Sequence, residues 1–171
     1  MTLSGFASHI RSEWVQKRTD IEVVLHELRD LIVKGKTIEA RNVRCNIAVP
    51  SSIPSFGLRI KYWIGNYSPR ERKLRWNRGQ GVIGRVYEDK KPILADLSHL
   101  HGSTYHEVAA SSDPPQMWGI TESHWEVTRQ MGVVLSVPIF RGDSEDVIGV
   151  LTLLMIPTRH SLPCLPRARK L

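Results

Sequence analysis

The stretch Arg75-Trp76-Asn77-Arg78-Gly79-Gln80-Gly81-Val82-Ile83-Gly84-Arg85-Val86 runs on to Lys91-Pro92-Ile93-Leu94-Ala95-Asp96. It reads as a strand entering a glycine-rich turn, a short helix and a second strand. Further along, Val134-Leu135-Ser136-Val137-Pro138-Ile139-Phe140 and Val147-Ile148-Gly149-Val150-Leu151-Thr152-Leu153 flank a polar turn. That pair reads as a hairpin with Arg141-Gly142-Asp143 at its tip, and its second arm, apolar through Met155, reads as a central strand.

Gly79-Gln80-Gly81-Val82-Ile83-Gly84 spells the G-x-G-x-x-G of dinucleotide-binding proteins. That signature needs a buried parallel strand in front and an acid about 20 residues on. Asp96 is near that distance, but Arg72, Lys73 and Arg75 make the preceding segment charged. The dinucleotide reading is therefore rejected. The glycines instead permit a tight turn and close backbone approach to a neighbouring helix or ligand. The N–H groups of Val82 and Ile83, at a helix start, are placed to hold an anion.

Outward from this stretch, residues 7–34 form the longest helical pattern. Ile10, Trp14, Ile21, Val24, Leu28 and Leu31 recur at helical steps interrupted by Lys17, Leu25 and Ile32 widen the stripe, and Gly35 is the stop. The stripe suits covering the domain's own sheet, pairing with a second copy of the chain, or both at different positions. Residues 40–49 alternate, with Val43, Cys45, Ile47 and Val49 opposite Asn42, Arg44 and Asn46, as in a half-buried strand. After a loop at residues 50–54, Leu58, Ile60, Tyr62 and Ile64 alternate with Arg59, Lys61 and Trp63 in a second strand. Residues 66–69 are a turn and residues 73–76 a third strand, giving an antiparallel meander.

Residues 82–87 are the short helix. Residues 97–120 read as irregular, and a connection that long is usually functional or disordered. Residues 121–130 read as a helix capped by Thr121 or Ser123. Beyond residue 156, Pro157, Pro163, Pro166 and the basic Arg167-Ala168-Arg169-Lys170 read as a tail or linker. The organisation expected is an N-terminal helix over 1–37, a sensor-sized domain over 38–156 and a tail over 157–171.

Composition narrows the classes. A 41% hydrophobic content with five tryptophans supports a packed core. No run is long and apolar enough to span a membrane, and the start lacks a signal-peptide pattern. Cys45 and Cys164 are far apart, which argues against a disulfide framework and for a reduced, cytoplasmic setting. The net charge is +7, with residues 59–91 holding ten lysines and arginines against three acids. Few stacking aromatics are interleaved there, so a solvated edge is the better reading than a nucleic-acid interface.

His99, His101, His106 and His124 lack the tight spacing and partners of a zinc site, so no metal is expected. Ser136 has no histidine–acid partner set, and no carboxylate pair stands out for acid–base work.

The glycine stretch and the hairpin together resemble the GAF family of small-molecule-binding sensor domains. The carriers are Gly81-x-x-Gly84 followed by lysine-proline, strand and Asp96, and Ser136-Val137-Pro138-Ile139 followed by Val147-Ile148-Gly149-Val150-Leu151. The resemblance implies an α+β fold of the GAF/PAS-like kind, a central antiparallel sheet of five or six strands. The long N-terminal helix packs on one face, and a short helix plus a long connection on the other. It further implies ligand contacts at Val82, Ile83, Asp96, Trp118, Trp125 and Thr128. The cyclic-nucleotide signature, a bilin-attachment cysteine and the C-terminal helix of the family are missing.

The function expected is a non-enzymatic sensory or regulatory domain that binds a small molecule, of unknown identity, and signals through its N-terminal helix. A homodimer through that helix and a downstream output domain or protein are the expected partners. The alternative is a ligand-free dimerisation or protein-interaction module. An enzyme of the free methionine sulfoxide reductase type ranks below both, since it needs cysteines around the pocket.

Overall fold

The computed structural model describes residues 3–34, 38–52, 57–110 and 118–156, with side chains from residue 16 onward. Its frame is a six-stranded antiparallel sheet of β1 (Val43–Pro50), β2 (Leu58–Ile64), β3 (Arg75–Trp76), β4 (Ile93–Asp96), β5 (Val133–Phe140) and β6 (Val147–Met155). The spatial order is β3-β2-β1-β6-β5-β4. The β5–β6 hairpin keeps register from Val133 opposite Met155 to Ile139 opposite Gly149. β6 then pairs with β1, so these two form the centre of the sheet. The expected α+β architecture is present. So is the hairpin.

Helix α1 (Leu3–Val33) packs on β1 and β2. Its inward residue is Leu25, 1% exposed, which joins Val43, Cys45 and Ile64, with Ile21 and Val33 packed alongside. The helical stripe divides at this point. Val24 and Leu31, one heptad apart, are 60% and 69% exposed. They point away from the sheet. Ile10 and Trp14 lie outside the described side chains, and Gly35 and residues 53–56, 111–117 and 157–171, with Cys164, lie outside the described residues.

The opposite face holds the larger cluster, including Ala48, Ile60, Trp76, Val86, Val134 and Leu154. Over it lie α3 (Gly81–Asp89), which packs on β5 and β6, and the connection carrying α4 (Tyr105–Ala110) and α5 (Glu122–Thr128). β1 is therefore covered on both sides. Arg44 is 5% and Asn46 1% exposed, which corrects the half-buried reading. Their alternation with apolar neighbours marks two different interiors rather than an interior and water.

Three further departures have local causes. In β2, Leu58 and Ile60 belong to the α3-side cluster while Tyr62 and Ile64 belong to the α1 side. A register shift between Ile47 and Ala48 pairs them with Tyr62 and Ile60, leaving Lys61 as the extra residue of a bulge. Such an insertion reverses which side chains face which way.

The segment before β3 is not strand but a helix, α2 (Pro69–Lys73). Ser68 Oγ accepts from Glu71 N, Glu71 accepts in return from Ser68 N, and Pro69 holds the first turn. The connection read as irregular contains α4 for the same reason, since Thr104 and Glu107 exchange both bonds of a capping pair. At α5, Thr121 is the N-cap residue, but its hydroxyl contacts His124 Nδ1 and Ser123 rather than the backbone.

The asymmetry of α1 can be tested directly. Leu25→Ala is expected to lower unfolding free energy by about 2–5 kcal/mol, and Leu31→Ala by well under about 1 kcal/mol. Urea denaturation of the two variants measures both, and equal losses would contradict the register of α1 on the sheet.

Candidate functional site

The site begins at the glycine turn. Gly79 and Gly81 adopt φ of 72° and 59°, the left-handed region that glycine enters without steric cost. Gly84 is required for a different reason. A Cβ there would collide with the Asn77 carbonyl, so the first turn of α3 sits directly against the strand exit. Gln80 fixes the turn from its side chain: Oε1 accepts from Asn77 N at 2.9 Å and Nε2 donates to Gly119 O at 3.0 Å. Gly81 N donates to Trp118 O at 2.8 Å. The N–H groups of Val82 and Ile83 are left with no acceptor among the described residues.

Those two residues open onto a cavity of about 60 Å³ between the start of α3, the inner face of the sheet and α5. A water needs roughly 10–15 Å³ of such space, so about four fit. The wall is mostly apolar, with Ile60, Trp76, Val134, Leu154 and Met131 prominent. Its polar groups are nearly all satisfied. Thr152 pairs its hydroxyl with Ser136 at 2.9 Å. Glu71 binds Arg44 Nη1 at 2.6 Å, and Arg44 also donates to Asn66 O. Asn46 Nδ2 donates to Tyr67 Oη at 2.9 Å. Asn46 Oδ1, in contrast, is buried and has no partner among the described residues.

These partners leave no net charge at the inner end of the cavity, while Arg129 stands at its α5 side, 3.8 Å from Glu126. Arg44 and Glu71 cancel one another, and burial pushes the Tyr67 phenol well above its ordinary range, so it stays protonated. The positive end of α3 favours an anion by about 0.3–1 kcal/mol. Taking an ion out of water costs several kcal/mol. Desolvation outweighs the dipole.

The outer wall is α5. His124 brings Nε2 within 2.6 Å of Arg75 O and Nδ1 within 2.7 Å of Thr121 Oγ1, and its ring centroid lies 6.1 Å from that of Trp76. Trp125, 4% exposed, packs with Leu100 and Val108 and donates Nε1 to Ser103 O at 3.3 Å. Thr128 Oγ1 donates to His124 O within the helix.

Of the six residues drawn from the family resemblance, Val82, Ile83, Trp125 and Thr128 line the cavity. Trp118 is not on its wall. It contributes its carbonyl to Gly81, packs against the main cluster and holds a strained φ of 31°. Asp96 lies at the exposed end of β4, where Oδ1 accepts from Ser98 N at 3.0 Å. That bond holds its carboxyl below the usual range. Asn46, Tyr67 and Thr152, all on the wall, were not singled out from the sequence.

Cys45 is on the other face of the sheet, under Leu25, and its thiol is pushed up to about 11 by burial, with Arg29 opposing. Among the described residues no group of three or more His, Cys, Asp or Glu side chains is placed to hold a metal.

No family model and no curated protein matches the chain. Solved structures do. The NreA protein of Staphylococcus aureus, mutated in its nitrate binding site, aligns at TM-score 0.55 and 18% identity over 81% of this chain and 86% of that one. A type II free methionine-R-sulfoxide reductase from Thermoplasma acidophilum aligns at TM-score 0.51 and 10% identity over 81% and 73%. The GAF domain of a phosphoenolpyruvate-protein phosphotransferase from Coxiella burnetii aligns at TM-score 0.50 and 18% identity over 81% and 67%. At such identities the likeness concerns the fold, and the fold is GAF-like.

The buried polar groups make opposite predictions for stability. Glu71→Gln strips Arg44 of its counter-charge and is expected to cost about 3–5 kcal/mol. The double variant Asn46→Leu/Tyr67→Phe removes both members of a pair at once. It is expected to fall within about 1 kcal/mol of the parent, on the stable side if anything. Chemical denaturation of the two proteins checks both values.

Proposed function

We propose that this chain, which has the GAF fold, is a non-enzymatic sensory or regulatory module. It takes a compact molecule into the cavity beside α3 and passes the occupancy to α1. The observation that carries the reading is the cavity itself, in contact with helix-start N–H groups and an unpaired buried amide oxygen. Its size supports a guest of a few heavy atoms rather than a nucleotide or a bilin. The nitrate binding site named for the Staphylococcus aureus protein is of that scale.

A route for the signal follows from the sheet. Asn46 and Thr152 face the cavity, while their strand neighbours Cys45, Ile47, Leu151 and Leu153 pack on the α1 side. A guest that binds one setting of β1 and β6 more tightly than another shifts α1 by that difference in affinity. Val24 and Leu31, exposed on the outer side of α1, suit contact with a second copy of the chain. The same strip favours the second reading, in which the fold serves as a dimerisation unit. No helix among the described residues is long and apolar enough to cross a membrane. A reduced, cytoplasmic setting accords with the buried free thiol of Cys45.

An enzymatic role of the sulfoxide-reductase kind is not favoured, because Cys45 and the cavity are on opposite faces of the sheet.

Thermal melting of the purified chain against small anions, amides and metabolites tests the proposal. A ligand at about 100 times its Kd adds roughly 2.7 kcal/mol, worth several degrees for a chain of this length. Val82→Phe, which fills the cavity, is expected to abolish the shift, and an undiminished shift would move the site elsewhere.

Cys45 supplies a separate test. Below about pH 9 its thiol is protonated in both folded and unfolded chains, so the folded state keeps the full benefit of burying it neutral. As pH rises from there towards the folded value of about 11, the unfolded chain ionises first and stability falls. At pH 8 a thiol reagent should label Cys45 only as fast as the chain unfolds. Rapid labelling of the native Cys164→Ser variant, in which Cys45 is the remaining thiol, would reopen the enzymatic reading.

A further inference from the structure

We propose that the cavity recognises a carboxamide. The ligand would be a small neutral molecule whose N–H is taken by Asn46 and whose C=O is taken by Tyr67, with any further acceptor meeting the N–H groups of Val82 and Ile83. This rests on the small-molecule reading above and names the chemical class of its ligand.

The argument starts from what each side chain has left to give. Asn46 spends an Nδ2 hydrogen on Tyr67 Oη at 2.9 Å. Its Oδ1 is left without a donor at 1% exposure. Tyr67 Oη, as the acceptor of that bond, keeps its own proton, for which no acceptor exists among the described residues. An acceptor and a donor thus stand side by side on the cavity wall. A primary carboxamide carries the complementary pair, an N–H beside a carbonyl oxygen.

Other small ligands match less well. Nitrate or a carboxylate brings acceptors alone and would set a lone pair against Asn46 Oδ1. A protonated amine brings donors alone and would leave the Tyr67 hydroxyl proton without an acceptor. Charge at the inner end favours the same answer, since Arg44 already neutralises Glu71, and the cationic Arg129 of the lining lies exposed on the α5 side. Nitrate is therefore expected to bind this cavity more weakly than a carboxamide of similar size.

The full chain, ¹⁵N-labelled, is titrated with four probes of similar size: acetamide, acetate, nitrate and methylammonium. Acetamide is expected to bind in the millimolar range typical of so few atoms and to shift both the Asn46 side-chain amide and the Val82 and Ile83 backbone resonances. Asn46→Leu and Tyr67→Phe should each weaken it by roughly tenfold. The double variant Asn46→Leu/Tyr67→Phe, assayed for its melt beforehand, guards against loss of binding through misfolding.

Four results decide the matter. Shifts with acetamide that vanish in the folded double variant support the inference. Acetate or nitrate shifting Val82 and Ile83 while acetamide does not would overturn it and leave the small-molecule reading standing. Nitrate moving the Asn46 side-chain resonances would mean that its amide is turned with donors inward, and would also overturn it. Silence at Val82 and Ile83 from these probes and from every compound of the melting panel would mean a water-filled cavity only, and would remove both readings.

Discussion

β1 and β6 form the centre of the sheet and have apolar material on both faces, so every polar group they carry must find a partner within the protein or go without. Most of the remaining architecture answers that constraint. Arg44 reaches Glu71 and the Asn66 carbonyl, which ties α2 to the sheet. Ser136 and Thr152 satisfy each other across the hairpin. Asn46 is half satisfied through Tyr67, and its other half faces the cavity. An unpaired buried acceptor costs on the order of 1–3 kcal/mol, so a hydrogen-bond donor placed in the cavity beside Asn46 Oδ1 would recover that cost.

The glycine turn solves a different problem with three residues that look alike. Gly79 and Gly81 supply backbone angles that other residues adopt only under strain, while Gly84 supplies closeness, since the Asn77 carbonyl occupies the space of a side chain. Together they bring the N-terminus of α3 to the cavity wall. Gln80 and the Trp118 carbonyl then fasten the connection to the turn, so one short segment positions both the floor and the roof of the site.

The periodic elements were legible in the sequence: the long helix, the alternating strands and the closing hairpin each carry a pattern several residues long. The turn glycines were legible because their chemistry is local. What escaped was of two kinds. The caps Ser68–Glu71 and Thr104–Glu107 are written in the sequence as serine or threonine three residues before glutamate, but the helices they start are too short to show an apolar period. The burial of Asn46 and the reversal of β2 at Lys61 were not written locally at all. Both depend on which strands become neighbours, and a residue between two covered faces has the same alternation as one between a face and water. Trp118 and Asp96 sit off the cavity wall for local reasons: the Trp118 carbonyl holds Gly81 N, and the Asp96 carboxylate accepts from Ser98 N.

His124 joins the outer wall to the edge of the sheet through Arg75 O and the ring of Trp76, and this bears on time rather than on affinity. On the small-molecule reading proposed above, a guest leaving past α5 would wait for that junction to part, so its dwell time would follow how often an imidazole releases a carbonyl. Binding strength would be set deeper, at β1 and α3. The two properties would then be separable: selection could lengthen or shorten the memory of an encounter by altering the wall while leaving the recognition chemistry untouched.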